Sequence, residues 1–324
     1  MAFFSVLLSL LLEQVKPLGR LSLVYGLRTA VADFASRNFD AGERRHGLAA
    51  WSIAVVLPAL LTLAIYWAAL RANILLAFAW NVAVLYFTLG FRQFSHYFTD
   101  ISDALNRGDI PGARAILRQW KSLDTVEMSA DDVTQQTIEH ALVAAQRYVL
   151  GVFFWFLLPV GPAGAVLYRM ADFTAGKWNA SGSEASPWLR DFASRAFHVL
   201  DWLPARQTAT GYAIVGNFEE AADIWRNYAR LWPDSNTGAM LASAAGAVGI
   251  RLGATAAPKA ADNAAEPGEQ AWGQAIDAEP PLAPQMPGAV PQPAHLRSVV
   301  GLVWRSVLLW MLLLAVVTIT MWVS

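Results

Sequence analysis

No cysteine occurs anywhere in the 324 residues. That absence removes disulfides, thiolate nucleophiles and cysteine-ligated zinc or iron–sulfur sites, though it does not fix the compartment. Histidine is nearly as scarce: His46, His96, His140, His198 and His295 include no pair at HExxH spacing. Charged residues make up 15% of the chain, against roughly 25% in a typical soluble domain. The net charge of −1 supplies no basic field for nucleic acid, which is therefore excluded as a partner. There is no P-loop, no GxGxxG and no GxSxG, so no phosphate cradle, dinucleotide site or hydrolase nucleophile is marked.

What is present is apolar surface. Hydrophobic residues reach 56%, with 14 Trp, 16 Phe and 8 Tyr. A bilayer-crossing helix needs about 20 apolar residues. Gly47 to Leu70, Ala72 to Phe91 and Ser306 to Ser324 each carry no charge. The first two form a helical hairpin turning at Arg71. Trp304, Trp310 and Trp322 lie at or near the ends of the last, where interfacial aromatics anchor a span. A fourth uncharged stretch, Tyr148 to Tyr168, is broken by Gly151, Pro159, Gly161, Pro162 and Gly164. Proline removes a backbone donor, so this stretch reads as a kinked span or, preferably, a re-entrant pair of half-helices. Met1 to Leu12 lacks the positive start and cleavage site of a signal peptide and reads as a retained apolar helix. Arg and Lys crowd both flanks of the hairpin, which places both flanks in the cytoplasm.

The fold class expected is all-α and integral to the bacterial inner membrane, multi-pass, with the larger loops cytoplasmic and the lipid bilayer as partner. An N-terminal apolar helix and basic loop (1–46) precede a transmembrane hairpin (47–91). A helical cytoplasmic region (92–147), the Pro/Gly-broken membrane segment (148–168) and a helical polar region (169–254) follow. An Ala/Pro-rich linker (255–297) leads to a C-terminal transmembrane helix (298–324). Ser129 and Asp131 are candidate caps for a helix over 131–147. Residues 101–121 and 210–232 share a helix–Gly-turn–helix pattern. Residues 237–254 are rich enough in Gly, Ala and Ser for close helix packing.

The segments HVLDWLPAR (His198 to Arg206) and AGAVGIRLG (Ala245 to Gly253) carry a resemblance. The second follows Trp232-Pro-Asp-Ser-Asn236. With Asp124-Thr125, Glu139 and Tyr168-Arg169 at matching spacing, the sequence resembles the CobD/CbiB family of cobalamin-biosynthesis membrane proteins and its relative AmpE. The opening is closer to AmpE. The resemblance implies an ATP-linked amide condensation of adenosylcobyric acid with aminopropanol or its phosphate. It implies Mg-ATP and a corrinoid ligand if catalysis survives; the residues themselves assign no cofactor or metal. It also shows departures. The Gly-Asp-Pro…His-Pro motif is missing near the N-terminus. A Glu-Asn…Asp-Gly set falls at Val143, Ala144 and Arg147. An Asn becomes Asp172, the Asp shortly after it is absent, and an acid falls at Leu241.

Candidate ligand-binding residues are Asp124, Thr125, Glu139, Asp201, Arg206 and Asn236; no catalytic residue is assigned. Asp201 and Arg206 read either as a ligand-facing pair or as a structural ion pair or cap, with Pro204 at a helix start. The lost acids favour an AmpE-like accessory or sensory protein acting through a protein partner. A cobinamide-synthase-type enzyme is the alternative, and a transporter the third reading.

Overall fold

A computed structural model describes residues 2–15, 23–121, 125–253 and 286–323. Among them the secondary structure is helical, with one isolated β-bridge between Ile250 and Ala289. The helices are α1 (Ala2–Val15), α2 (Leu23–Phe39), α3 (Arg44–Ala72), α4 (Ile74–Thr88), α5 (Phe91–Asn106) and α6 (Ile110–Lys121). They continue as α7 (Ala130–Leu157), α8 (Pro162–Trp178), α9 (Pro187–Val215), α10 (Phe218–Tyr228), α11 (Ser235–Val248) and α12 (Pro293–Val323). Three helices are long and apolar enough to cross a membrane: α3, α7 and α12 over Pro293–Thr320.

The hairpin of α3 and α4 turns at Asn73 rather than Arg71. The reason is local: the Asn73 side chain accepts the Leu75 N–H at 2.8 Å and caps α4. At the start of α7, Ser129 and Asp132 form a reciprocal capping box, so the acid involved is Asp132 and not Asp131. The boundary expected at 147/148 falls inside α7, which runs on through a π-turn at Gln146–Leu150. The broken stretch 148–168 is not one continuous helix. It is the tip of an antiparallel helical hairpin, α7 and α8, closed by a turn at 158–161. Gly161 supplies the positive φ of 55° at that turn. Gly164 lets α8 press on α7; a Cβ there would lie 2.2 Å from the Trp155 carbonyl oxygen.

Pro204 does not start a helix; it sits inside α9. An interior proline removes the hydrogen bond that would satisfy the carbonyl four residues back. Here that carbonyl, Leu200 O, instead accepts the Trp155 indole N–H at 3.2 Å. The expected close packing of 237–254 is met by α11, buried almost throughout against α9 and α10. The linker expected at 255–297 lies largely outside the described residues. Its described end joins the fold early, because α12 begins at Pro293, whose fixed φ suits a first helical turn. Helices α7, α8, α9 and the start of α11 converge on one cleft.

Gly164→Ala is expected to destabilise the protein by about 1–3 kcal/mol, as overpacking against backbone does. Gly301→Ala on α12 meets nothing within 4 Å and is expected to be neutral or slightly stabilising. Thermal unfolding of the two variants in detergent compares them directly.

Candidate functional site

Asp201 of α9 is only 3% exposed. A buried carboxylate requires donors, and two helices provide them. The Tyr168 hydroxyl of α8 donates to Oδ1 at 2.6 Å, and Gln146 Nε2 of α7 donates to the same oxygen at 2.6 Å. Burial raises the Asp201 pKa from its ordinary value to about 6; the Tyr168 bond, the Arg147 charge and the Gln146 bond oppose that rise.

One helical turn away lies a second polar layer. Arg147 follows Gln146, Asp172 lies four residues beyond Tyr168, and Phe197 four before Asp201. Arg147 Nη1 is 3.7 Å from Asp172 Oδ1, and its guanidinium lies 5.1 Å over the Phe197 ring. Asp172 is held closer by Arg169 Nη1, at 2.7 Å. Arg169 in turn stacks over Tyr148 at 4.3 Å.

The opposite wall is the entry to α11. Asp234 caps this helix through the Asn236 and Thr237 backbone N–H groups and accepts from the Thr237 hydroxyl. Burial pushes its pKa upward, but the Thr237 and Asn236 hydrogen bonds and nearby His198 carry it below the ordinary value. His198 Nδ1 lies 2.9 Å from Asp234 Oδ1. Asn236 donates to the His198 carbonyl at 2.8 Å and accepts from Arg206 Nη1 at 2.7 Å. Together these elements enclose a cleft of about 980 Å³, with Arg147, Asp172, His198, Asp201, Asp234 and Asn236 in its lining.

The sequence candidates scatter around this cleft. Asp201 and Asn236 line it. Arg206 stands behind Asn236, stacked over Trp202 at 4.3 Å. It makes no pair with Asp201, because five residues on a helix turn the two side chains apart. Thr125 is buried and donates to the Arg114 carbonyl at 3.0 Å. Glu139 accepts the Gly253 N–H at 2.8 Å and so clasps the end of the AGAVGIRLG run. Asp124 lies outside the described residues. Sequence reasoning passed over His198 and Asp234, whose pairing spans 36 positions, and read Arg147 and Asp172 only as departures.

Magnesium binding fits poorly here. Mg²⁺ wants near-octahedral oxygen ligands, yet no group of three or more Asp, Glu or His placed for a metal occurs among the described residues. Asp172 is engaged by Arg169, Asp201 by Tyr168 and Gln146, and Asp234 by α11 and His198.

Comparison with known proteins gives a consistent family. The model for CobD/Cbib protein matches residues 5–276. The cobalamin biosynthesis protein CobD of Stutzerimonas stutzeri is 30% identical over 292 residues, 88% of this chain and 87% of the relative. That of Chromobacterium violaceum is 34% identical over 231 residues, 71% and 67% of the two chains. That of Pelobacter propionicus is 25% identical over 222 residues, 67% and 68%. No solved structure matches. The expected AmpE-like accessory or sensory protein is thereby overturned, since the similar proteins are named for cobalamin biosynthesis.

The environment of Asp201 has a measurable consequence. Its folded pKa, about 6, lies above the ordinary 3.8, so folding favours the protonated form. Its stabilising contribution is full below pH 3.8 and is lost as pH rises through 6, a change on the order of 3 kcal/mol. Asp201→Asn is expected to abolish that slope in thermal melts between pH 4 and 7. Parallel profiles for the variant and the parent would show that Asp201 carries no such shift.

Proposed function

The chain belongs to the CobD/CbiB family, and from that premise we propose that it works in cobalamin biosynthesis as a synthase of the adenosylcobinamide-phosphate type. It would join adenosylcobyric acid to aminopropanol or its phosphate in an ATP-linked amide condensation. The observation that carries this reading is convergence. Two segments of the family resemblance, His198 to Arg206 and the Trp232 to Asn236 stretch that precedes the AGAVGIRLG run, meet in one cleft through the His198–Asp234 and Arg206–Asn236 contacts.

The chemistry required is modest. The corrinoid carboxyl oxygen departs on a phosphoryl group from ATP, a C–N bond forms, and the amine nitrogen gives up a proton. A positioned base within reach of the nitrogen serves the last event. Asp234 accepts the proton on His198 Nδ1, which leaves Nε2 as the acceptor, 3.5 Å from the Ser235 hydroxyl. Asp234 thereby fixes both the tautomer and the ring orientation.

We place the protein in the bacterial inner membrane, multi-pass, with its polar loops and this cleft on the cytoplasmic side. A hairpin such as α7–α8 returns the chain to the side it left, which supports keeping the polar region after α8 on the same side as the start of α7. A reporter inserted after Asn179 is expected to fluoresce in the cytoplasm and to show no periplasmic phosphatase activity; the opposite pattern defeats this topology.

The purified chain, given adenosylcobyric acid, aminopropanol phosphate and Mg-ATP, is expected to yield the amide by mass spectrometry. His198→Asn keeps a polar side chain at the site but lacks the basic Nε2. It should retain corrinoid binding and lower the rate by about 10²-fold or more. No product and no corrinoid binding, beside an active relative assayed in parallel, would sink the proposal.

A further inference from the structure

The cleft carries a cation where the resemblance places acids. Arg147 stands in the segment that departs from the Glu-Asn…Asp-Gly set, and it lines the cleft with its side chain 31% exposed. Its one ion pair among the described residues is long: 3.7 Å to Asp172 exceeds hydrogen-bond length. Asp172 makes its short contact with Arg169 instead. These three groups, two guanidinium ions and one carboxylate, retain one positive charge. The other acids of the cleft, Asp201 and Asp234, act on the Arg147 charge through space, but neither makes an ion pair with it among the described residues. Asp201 is taken by Tyr168 and Gln146, and Asp234 by His198 and the first turn of α11.

We propose that Arg147 is an oxyanion-binding residue: it holds a phosphate or carboxylate group of the substrate directly, in the place of a divalent cation bridged by carboxylates. A guanidinium suits that role, because its planar fork offers parallel N–H donors to two oxygens of one oxyanion. Phe197 under the guanidinium holds its plane without consuming those donors. The apolar flank of α7 lowers the local dielectric and strengthens the attraction. The identity of the substrate rests on the function proposed above; the anion site itself does not.

Equilibrium dialysis of the full chain in detergent separates the two. Inorganic pyrophosphate in excess chelator is the first probe. Binding is expected in chelator, unchanged by added Mg²⁺ and weakened several-fold as salt rises. Arg147→Gln should weaken it at least 10-fold, and Arg147→Lys should restore part of the loss as a point charge without the fork. Since Arg147→Gln also breaks packing, Asp172→Asn provides the opposite test. Removing that carboxylate should tighten pyrophosphate binding, whereas a merely structural role for the Arg147–Asp172 pair predicts weaker binding. Binding that requires Mg²⁺, or that survives Arg147→Gln, overturns the proposal. Competition then identifies the source of the oxyanion. Displacement by aminopropanol phosphate but not aminopropanol assigns the phosphate, and displacement by adenosylcobyric acid assigns the carboxylate. Arg147-dependent pyrophosphate binding that neither compound displaces upholds the anion site and counts against the cobalamin reading.

Discussion

Three helices meet because a carboxylate is buried. Asp201 sits within α9, out of water, and such a group is tolerated only when donors surround it. Gln146 and Tyr168 supply them from α7 and α8. Three residues beyond, Pro204 frees the Leu200 carbonyl, and Trp155 of α7 reaches across to satisfy it. Helices α7 and α9 are therefore joined by two polar links, one buried and one half-buried, made by consecutive residues of α9 and by well-separated residues of α7. Each link would be an orphaned group if the helices separated. That requirement fixes their relative register, which apolar packing alone, tolerant of sliding, would not.

Much of this fold is legible in the order of residues. Uncharged runs mark α3 and α12, Ser129 marks the start of α7, and the small residues of 237–254 mark a helix that must lie close to its neighbours. The Pro/Gly cluster signals a break, although not whether the chain bends or reverses there. Reversal depends on α8 finding α7, through contacts such as Gly164 on the Trp155 carbonyl that no local pattern encodes. The candidate site was harder. Spacing along one helix gives no sign of the role of His198, because its partner is a capping residue on another element. Pro204 looked like a helix start because its compensating donor, Trp155, is 45 positions from Leu200.

The departures from the resembled family follow the environment of each position. Val143 is half-buried and packs on the core, Ala144 is buried and Leu241 is buried. At these positions two acids and an amide of the resembled pattern are replaced by apolar residues, which carry no polar desolvation penalty. Arg147 and Asp172 face the cleft, and there a cation stands in place of an acid and an acid in place of an amide. The apolar changes alone suggest a degraded site; with the cleft-facing pair included, the charges are rearranged rather than lost.

The rearrangement depends on a local feature of α7. Its π-turn begins at Gln146, and π-turns inside α-helices recur at functional sites. On a regular helix, successive side chains diverge by about 100°, so neighbours seldom serve the same pair of facing helices. Here consecutive residues do. Gln146 reaches Tyr168 and Asp201, while Arg147 reaches Asp172 and Phe197, one turn along α8 and α9. The wider turn brings both side chains to one face. The first serves the buried carboxylate that fixes the register, and the second reaches the cleft that this register creates. Structural and chemical roles are thus adjacent in sequence, so α7 cannot shift along α8 and α9 without disturbing both polar layers together.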